Sequence, residues 1–188
     1  MRLRVCGCAG GETRDHALTG FVVDDGIALD AGSLTRALTM DEQCALQHVL
    51  LSHSHLDHSR DVALIAINRL GRQPRTLEVW ANPECTGALR THLLAEPLWV
   101  DVTRLPSPER PCLRLNELPD EHWHRLGAHD VLAVRTHHAV PGSAFLLRGP
   151  ARRGACAPRG RRGCRAGASA RRRVRSRAGT AARATAGG

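Results

Sequence analysis

Apolar and polar positions alternate along much of this chain, with periods that change from segment to segment. Leu3 and Val5 alternate with Arg2 and Arg4 before Gly7, Gly10 and Gly11 open a loop. That period-two pattern predicts a first β-strand. Residues 21–23 and 27–30 are two further short apolar runs, and Asp24-Asp25-Gly26 between them is a hairpin-turn signal. Over residues 34–47, Leu34, Leu38 and Leu46 fall on one helical face. The continuous run Val49-Leu50-Leu51 predicts a short buried strand, and residues 61–70 an apolar helix closed by Gly71. Residues 77–80 read as another strand. Asn82-Pro83-Glu84 then starts a helix running to about residue 94, because proline suits the first helical position. Proline-rich residues 97–120 suggest an extended loop with short strands. Two last strands, 130–136 and 144–147, are separated by a turn at Pro141-Gly142. Strands that alternate with helices predict an α/β fold.

After residue 147 the pattern stops. Residues 1–147 hold 14 Arg against 18 acidic residues, whereas residues 148–188 hold 13 Arg and no Asp or Glu. The formal charge of +9 therefore joins an acidic body to a basic tail. With almost no branched aliphatics, the tail cannot bury enough apolar surface to offset its ordering entropy, and disorder is expected over 148–188. Such a segment can act as a nucleic-acid-binding arm, held non-specifically through phosphates. The preferred expectation is different. Arg, Ala, Gly and Pro are what GC-rich codons yield out of frame, and the chain has no lysine, so a frameshift near residue 148 accounts for the composition. A strand-rich continuation with Asp and His motifs in another reading frame would support it.

The body, residues 1–147, is long enough for one domain with its own core. Seven scattered cysteines, an odd number, fit free thiols better than a disulfide framework. No apolar run is long enough to span a bilayer, and the first residues lack the central apolar stretch of a signal peptide, so the expected location is cytoplasmic.

The chemistry is concentrated in His53-Ser54-His55-Leu56-Asp57-His58, directly after the apolar run 49–51. On a loop leaving a buried strand, two histidines at i and i+2 can converge on one cation, while an Asp at i+4 and a His at i+5 turn toward a second. Imidazole and carboxylate suit Zn²⁺, and also Mn²⁺ or Fe²⁺. Two such cations a few Å apart activate water and stabilise both oxygens of a displacement at phosphorus. His137-His138, at the end of the predicted strand 130–136, can complete a three-histidine set. Asp30, in the string Leu29-Asp30-Ala31-Gly32, can hold the metal loop through its N–H groups or serve as an ordinary cap. Cys6 and Cys8 have no second pair with which to build a zinc ribbon, so core packing is expected. His122, His124 and His129 stand among charged residues and are expected on the surface, and Trp99 and Trp123 in packing roles.

His-Ser-His-Leu-Asp-His, with Leu before the Asp, resembles the signature of the class II cyclic-nucleotide phosphodiesterases, a branch of the metallo-β-lactamase superfamily. The opening RLRVCGCAGG, the strings LDAG and LWVDVTRLPSPERP, and HHAVPGSAFLL occur in the same order as in bacterial members of that branch. The resemblance spans residues 1 to about 147. It implies an αββα sandwich with the metals at one edge of the two sheets. It also implies His53, His55 and His138 on one zinc, Asp57 and His58 on a second, and Asp57 orienting the nucleophile. The implied substrate is 3′,5′-cyclic AMP or GMP, opened to the 5′-nucleotide. Family members then supply an Asp that bridges the metals and a last His, but this chain has no Asp, Glu or His after His138. The resemblance therefore implies an incomplete second half and impaired activity. Another hydrolase of the same superfamily, such as a ribonuclease Z-like nuclease, is the alternative enzyme reading. Oligomeric state is open, a homodimer being one option.

Overall fold

The computed structural model describes residues 1–150. The segment 151–188, on which the expectations of disorder and of a replaced reading frame chiefly fall, lies outside the described residues. The first strands are β1 (Leu3–Gly7), β2 (Gly20–Val23) and β3 (Ile27–Ala31). They form an antiparallel meander. Asp24 and Asp25 both take positive φ, 46° and 61°, and Gly26 N–H bonds back to the Val23 carbonyl. This is the turn whose twist matches its flanking strands, and aspartate is among the few residues that enter it readily.

Residues 34–47 were expected to form one helix, but they form two short ones, α1 (Leu34–Ala37) and α2 (Met40–Ala45). Leu38 is extended between them, and Thr39 starts α2 with a reciprocal cap: its side chain accepts from Glu42 N–H while the Glu42 carboxylate accepts from Thr39 N–H. A Thr-x-x-Glu string satisfies two otherwise orphaned donors and so restarts the helix. The chain continues through β4 (His48–Leu50), α3 (Leu56–Ser59), α4 (Asp61–Arg69), β5 (Leu77–Ala81) and α5 (Pro83–Ala88), which runs on into one wider turn, Leu89–Leu93. After a small hairpin, β6 (Pro106–Ser107) with β7 (Arg110–Pro111), come β8 (Leu113–Glu117), β9 (Trp123–Leu126), β10 (His129–Thr136) and β11 (Gly142–Arg148).

The larger sheet has the order β1-β2-β3-β4-β5-β8, antiparallel to β3 and parallel from β3 to β8. The second sheet is the antiparallel set β11-β10-β9. Successive residues of the central strand are buried on opposite faces, which shows how the layers stack. Val49 and Leu51 pack with Leu34, Leu46, Val62 and Ile65 of the helices. Leu50, between them, packs with Leu126, Val131 and Ala133 of the second sheet. The larger sheet is thus covered by helices on one face and by β9–β11 on the other. The outer face of the second sheet presents Leu146 and Trp123, 50% and 41% exposed. The described residues therefore make three of the four layers of an αββα sandwich.

β9 was not anticipated. Its residues pair with β10 in full register, and this overturns the expectation that His122, His124 and His129 all lie on the surface. His129 is buried and bonds through Nε2 to Asp24 Oδ2 at 2.9 Å, which ties the β9–β10 hairpin to the β2–β3 turn. Cys6 is half-buried against the core, but Cys8 is exposed, contrary to the packing expected of it. Trp123 stands on the outer face under the Arg148 guanidinium, 3.9 Å from its ring centre. Strand β11 includes Arg148, one residue past the expected end of the body. No described helix is long and apolar enough to cross a membrane.

One charged side chain is part of the core. Arg69, 1% exposed, donates through Nη1 to the carbonyls of Gln43, Cys44 and Leu46, each at 2.8 Å, and through Nη2 to that of Arg75 at 2.9 Å. The last carbonyls of a helix have no partner within the helix, and Arg69 meets those at the end of α2. Burial lowers its pKa from the usual guanidinium value.

Candidate metal centre

The motif sits where the larger sheet stops. Leu51 N–H bonds to the Trp80 carbonyl, and the chain then leaves β4 for a short loop that ends in α3. His55 is the last residue before that helix, and Ser59 Oγ donates back to the Ser54 and His55 carbonyls at 3.1 and 3.0 Å. The loop is thereby folded back on itself, with His53 buried and His55 exposed. Gly32 lies directly under it. A Cβ at Gly32 would fall 2.1 Å from the Asp57 carbonyl oxygen, so only glycine lets the LDAG turn pass beneath α3. The glycine loop after β1 closes the other side, with Gly10 packed near Asp57 Oδ2.

Asp30 holds this arrangement. Its backbone is left-handed, with φ 56°, a conformation costly for most side chains but accessible to Asp. That places the carboxylate under the loop, where Oδ1 accepts from Ser52 N–H at 2.7 Å. Oδ2 accepts from Ser52 Oγ at 2.9 Å and from His58 Nδ1 at 2.8 Å. The proton positions follow. An ionised carboxylate only accepts, so His58 carries its proton on Nδ1 and Ser52 gives its only hydroxyl proton to Asp30. Ser52 Oγ, 3.0 Å from His53 Nδ1, must then accept from it. In its neutral form each of these histidines carries its proton on Nδ1, which leaves Nε2 with the free lone pair. Burial, and then the neighbouring imidazoles His58, His138 and His55, push the pKa of His53 down to about 4, so the ring is neutral near pH 7. The hydrogen bond to Asp30 raises the pKa of His58.

His138 reaches the loop from the second sheet. It lies between β10 and β11, and Ser143 N–H bonds to the Ser52 carbonyl at 2.8 Å. Asn82 Nδ2, from the start of α5, donates to the Pro141 carbonyl at 3.1 Å. The two bonds pin the β10–β11 loop to the ends of β4 and β5. The outcome is one group: ligand atoms of His53, His55 and His138 lie within 4.8 Å of one another. Of the pair His137-His138, it is His138 whose ring lies 4.6 Å from that of His53 and 5.5 Å from that of His55. Asp57 and His58 stand beside this group, with His58 Nε2 3.4 Å from Asp57 Oδ2 and the His58 ring 4.1 Å from that of His53.

Two of the residues that build the site, Ser52 and Asn82, carry no motif. The only signal in the sequence was their position, one residue before the first histidine and one before Pro83.

Among solved structures, yeast PDE1 without ligand matches with a TM-score of 0.65 at 15% identity, over 78% of this chain and 61% of that one. The metallo-beta-lactamase fold protein YhfI from Bacillus subtilis matches with a TM-score of 0.58 at 19% identity, over 78% and 58%. This chain has the metallo-β-lactamase fold. The short form of human tRNase Z matches with a TM-score of 0.52 at 13% identity, over 78% and 63%. The chain covers less than two thirds of each of these proteins. No protein-family model matches the sequence. No curated protein matches it either.

On this metallo-β-lactamase fold the residues fit a cation. Three imidazoles, at least one with its lone pair aimed by a fixed tautomer, are a donor set that suits a divalent cation. For a second cation the described residues offer Asp57 and His58, fewer ligands than a closed coordination shell needs.

The Asp30 network has a measurable consequence. Asp30→Ala removes three charge-assisted hydrogen bonds and puts alanine at a left-handed backbone, for an expected loss of about 2–4 kcal/mol in unfolding free energy. Zinc affinity should fall roughly 10–100-fold, as when a group that orients a ligand is removed. Asp30→Asn tolerates the backbone but cannot accept on both sides, so it should recover most of the stability and little of the affinity. Denaturant titration and chelator competition would separate the two effects.

Proposed function

We propose that this chain is a metal-dependent hydrolase of phosphodiesters, of the 3′,5′-cyclic-nucleotide phosphodiesterase type, and that its second metal position is incomplete. The observation that carries the reading is the convergence of His53, His55 and His138 within 4.8 Å, with Asp57 and His58 alongside. The strings shared with the class II branch select the cyclic nucleotide as substrate, opened to the 5′-nucleotide. The match to yeast PDE1 is compatible with that choice but speaks for the fold alone.

His53, His55 and His138 would hold one cation, Zn²⁺ by preference, with Mn²⁺ or Fe²⁺ on the same donors. A bound cation supplies Lewis acidity, making water nucleophilic near neutral pH and drawing charge from a phosphoryl oxygen. Asp57 orients the nucleophile and can accept its proton, while Asp30 keeps His58 in its ligand tautomer directly and His53 in its own through Ser52. The site opens to solvent, since His55 and His138 are both exposed. The branch this chain resembles bridges two metals with a further carboxylate, and residues 139–188 of this sequence hold no Asp, Glu or His.

Purified full-length protein is expected to hold one zinc per chain. It should hydrolyse cyclic AMP slowly, with the loss of the two-metal clamp costing several kcal/mol, on the order of 10³-fold. Elemental analysis and product chromatography measure both. Two zincs with fast turnover would refute the incomplete site, and protein that takes up no zinc would refute the whole reading. A precursor tRNA assayed in parallel tests the ribonuclease Z-like alternative.

A further inference from the structure

Strands at the edge of a sheet present unpaired N–H and C=O groups, and proteins blunt such edges with charge, irregularity or shortness. Three of the four edges of the two main sheets are blunted. β1 carries Arg4, ion-paired to Glu42, and a register shift between Val5 and Gly7. β8 carries Arg114 and Asn116, both bonded to Glu78, and β9 is four residues long with Arg125 in it. The fourth, β11, pairs with β10 without irregularity over seven residues, and its stretch Ala144-Phe145-Leu146-Leu147 has neither charge nor proline.

The direction of its free hydrogen bonds can be worked out. Ser143 N–H bonds to the Ser52 carbonyl, so it points away from β10. Backbone groups alternate sides along a strand. Phe145 and Leu147 therefore also turn their N–H and C=O outward, where no other described residue pairs with them. Leu146 lies between, half exposed on the outer face.

We propose that two copies of this chain pair antiparallel through β11 about a twofold axis at Leu146, joining their second sheets into one of six strands. In that register Phe145 of each copy exchanges hydrogen bonds with Leu147 of the other. Leu146 meets its own copy in a non-hydrogen-bonded pair, where side chains approach most closely. Arg148 falls opposite Ala144, so no like charges face each other. Arg148 is also folded over Trp123 of its own sheet, away from the axis. Ser52, bonded to Ser143, ends the shared ladder on each side and leaves both histidine clusters outside it.

Light scattering on the full chain tests this. The expected mass is twice 20.4 kDa at concentrations on the order of 100 μM. Leu146→Arg brings two guanidinium groups together on the axis. It should raise the dissociation constant at least ~100-fold with the circular dichroism spectrum unchanged, since the side chain is half exposed. Leu146→Cys, oxidised and digested, should give a peptide joined 146 to 146. A monomer at every concentration, a Leu146→Arg dimer as tight as the parent, larger assemblies, or a cross-link from 146 to another cysteine would each overturn the proposal. The last result would put a different segment on this edge.

Discussion

His138→Ala should strip the protein of stoichiometric zinc while leaving its fold intact. A complete structural zinc site binds with about 10–16 kcal/mol over four ligands, so an even share is roughly 3 kcal/mol, or about 10²-fold in affinity, for each. Losing one of three imidazoles leaves a two-histidine site in water, which does not hold the ion through gel filtration against a weak chelator. The fold should tolerate the change because His138 is exposed and the neighbouring bonds, Ser143 to Ser52 and Asn82 to Pro141, run through the backbone of its loop. His137→Ala is the matched control. It alters the adjacent residue, outside the three-histidine group, and should leave zinc content at the parent level. Equal losses from both variants would mean that the loop, and not the imidazole, is what matters.

Arg69→Met is expected to be the most damaging single change to stability. The methionine fills much of the same space, but the carbonyls of Gln43, Cys44, Leu46 and Arg75 lose their donor together. Each buried carbonyl left unsatisfied costs about 1–3 kcal/mol. Some relax toward water, which brings the expected total to about 3–5 kcal/mol. That is a large fraction of the 5–15 kcal/mol typical of a whole domain. Arg69→Lys should recover little, because one ammonium cannot span four acceptors in two directions. Urea unfolding followed by circular dichroism gives the difference directly, and a loss under 1 kcal/mol would show that α2 finds other partners.

The site was legible in the sequence to the extent that its donors are local. His53, His55, Asp57 and His58 fall within six residues, and their order after an apolar run told where the loop lies. Asp30 could be singled out because a carboxylate followed by Ala-Gly ends a strand. What could not be read was whatever depends on two distant segments meeting. His138 was named through the resemblance, but neither the Ser143–Ser52 bond that delivers it nor the His129–Asp24 bond, across 105 positions, could be read. β9 escaped notice because Trp123-His124-Arg125-Leu126 puts only Leu126 deep in the core. Its remaining positions are polar or, at Trp123, on the outer face, so its alternation is masked. The break at Leu38 was hidden by the leucine spacing, while its cause, the Thr39–Glu42 cap, was present in the string.

Asp30 binds the architecture of the site to a compromise. Glycine would occupy that left-handed backbone with greater ease, but it would forfeit the three hydrogen bonds to Ser52 and His58. Glycine there would remove both the direct bond that sets the tautomer of His58 and the relay through Ser52 that sets that of His53. That one substitution would undo the tautomer lock with every histidine still in place.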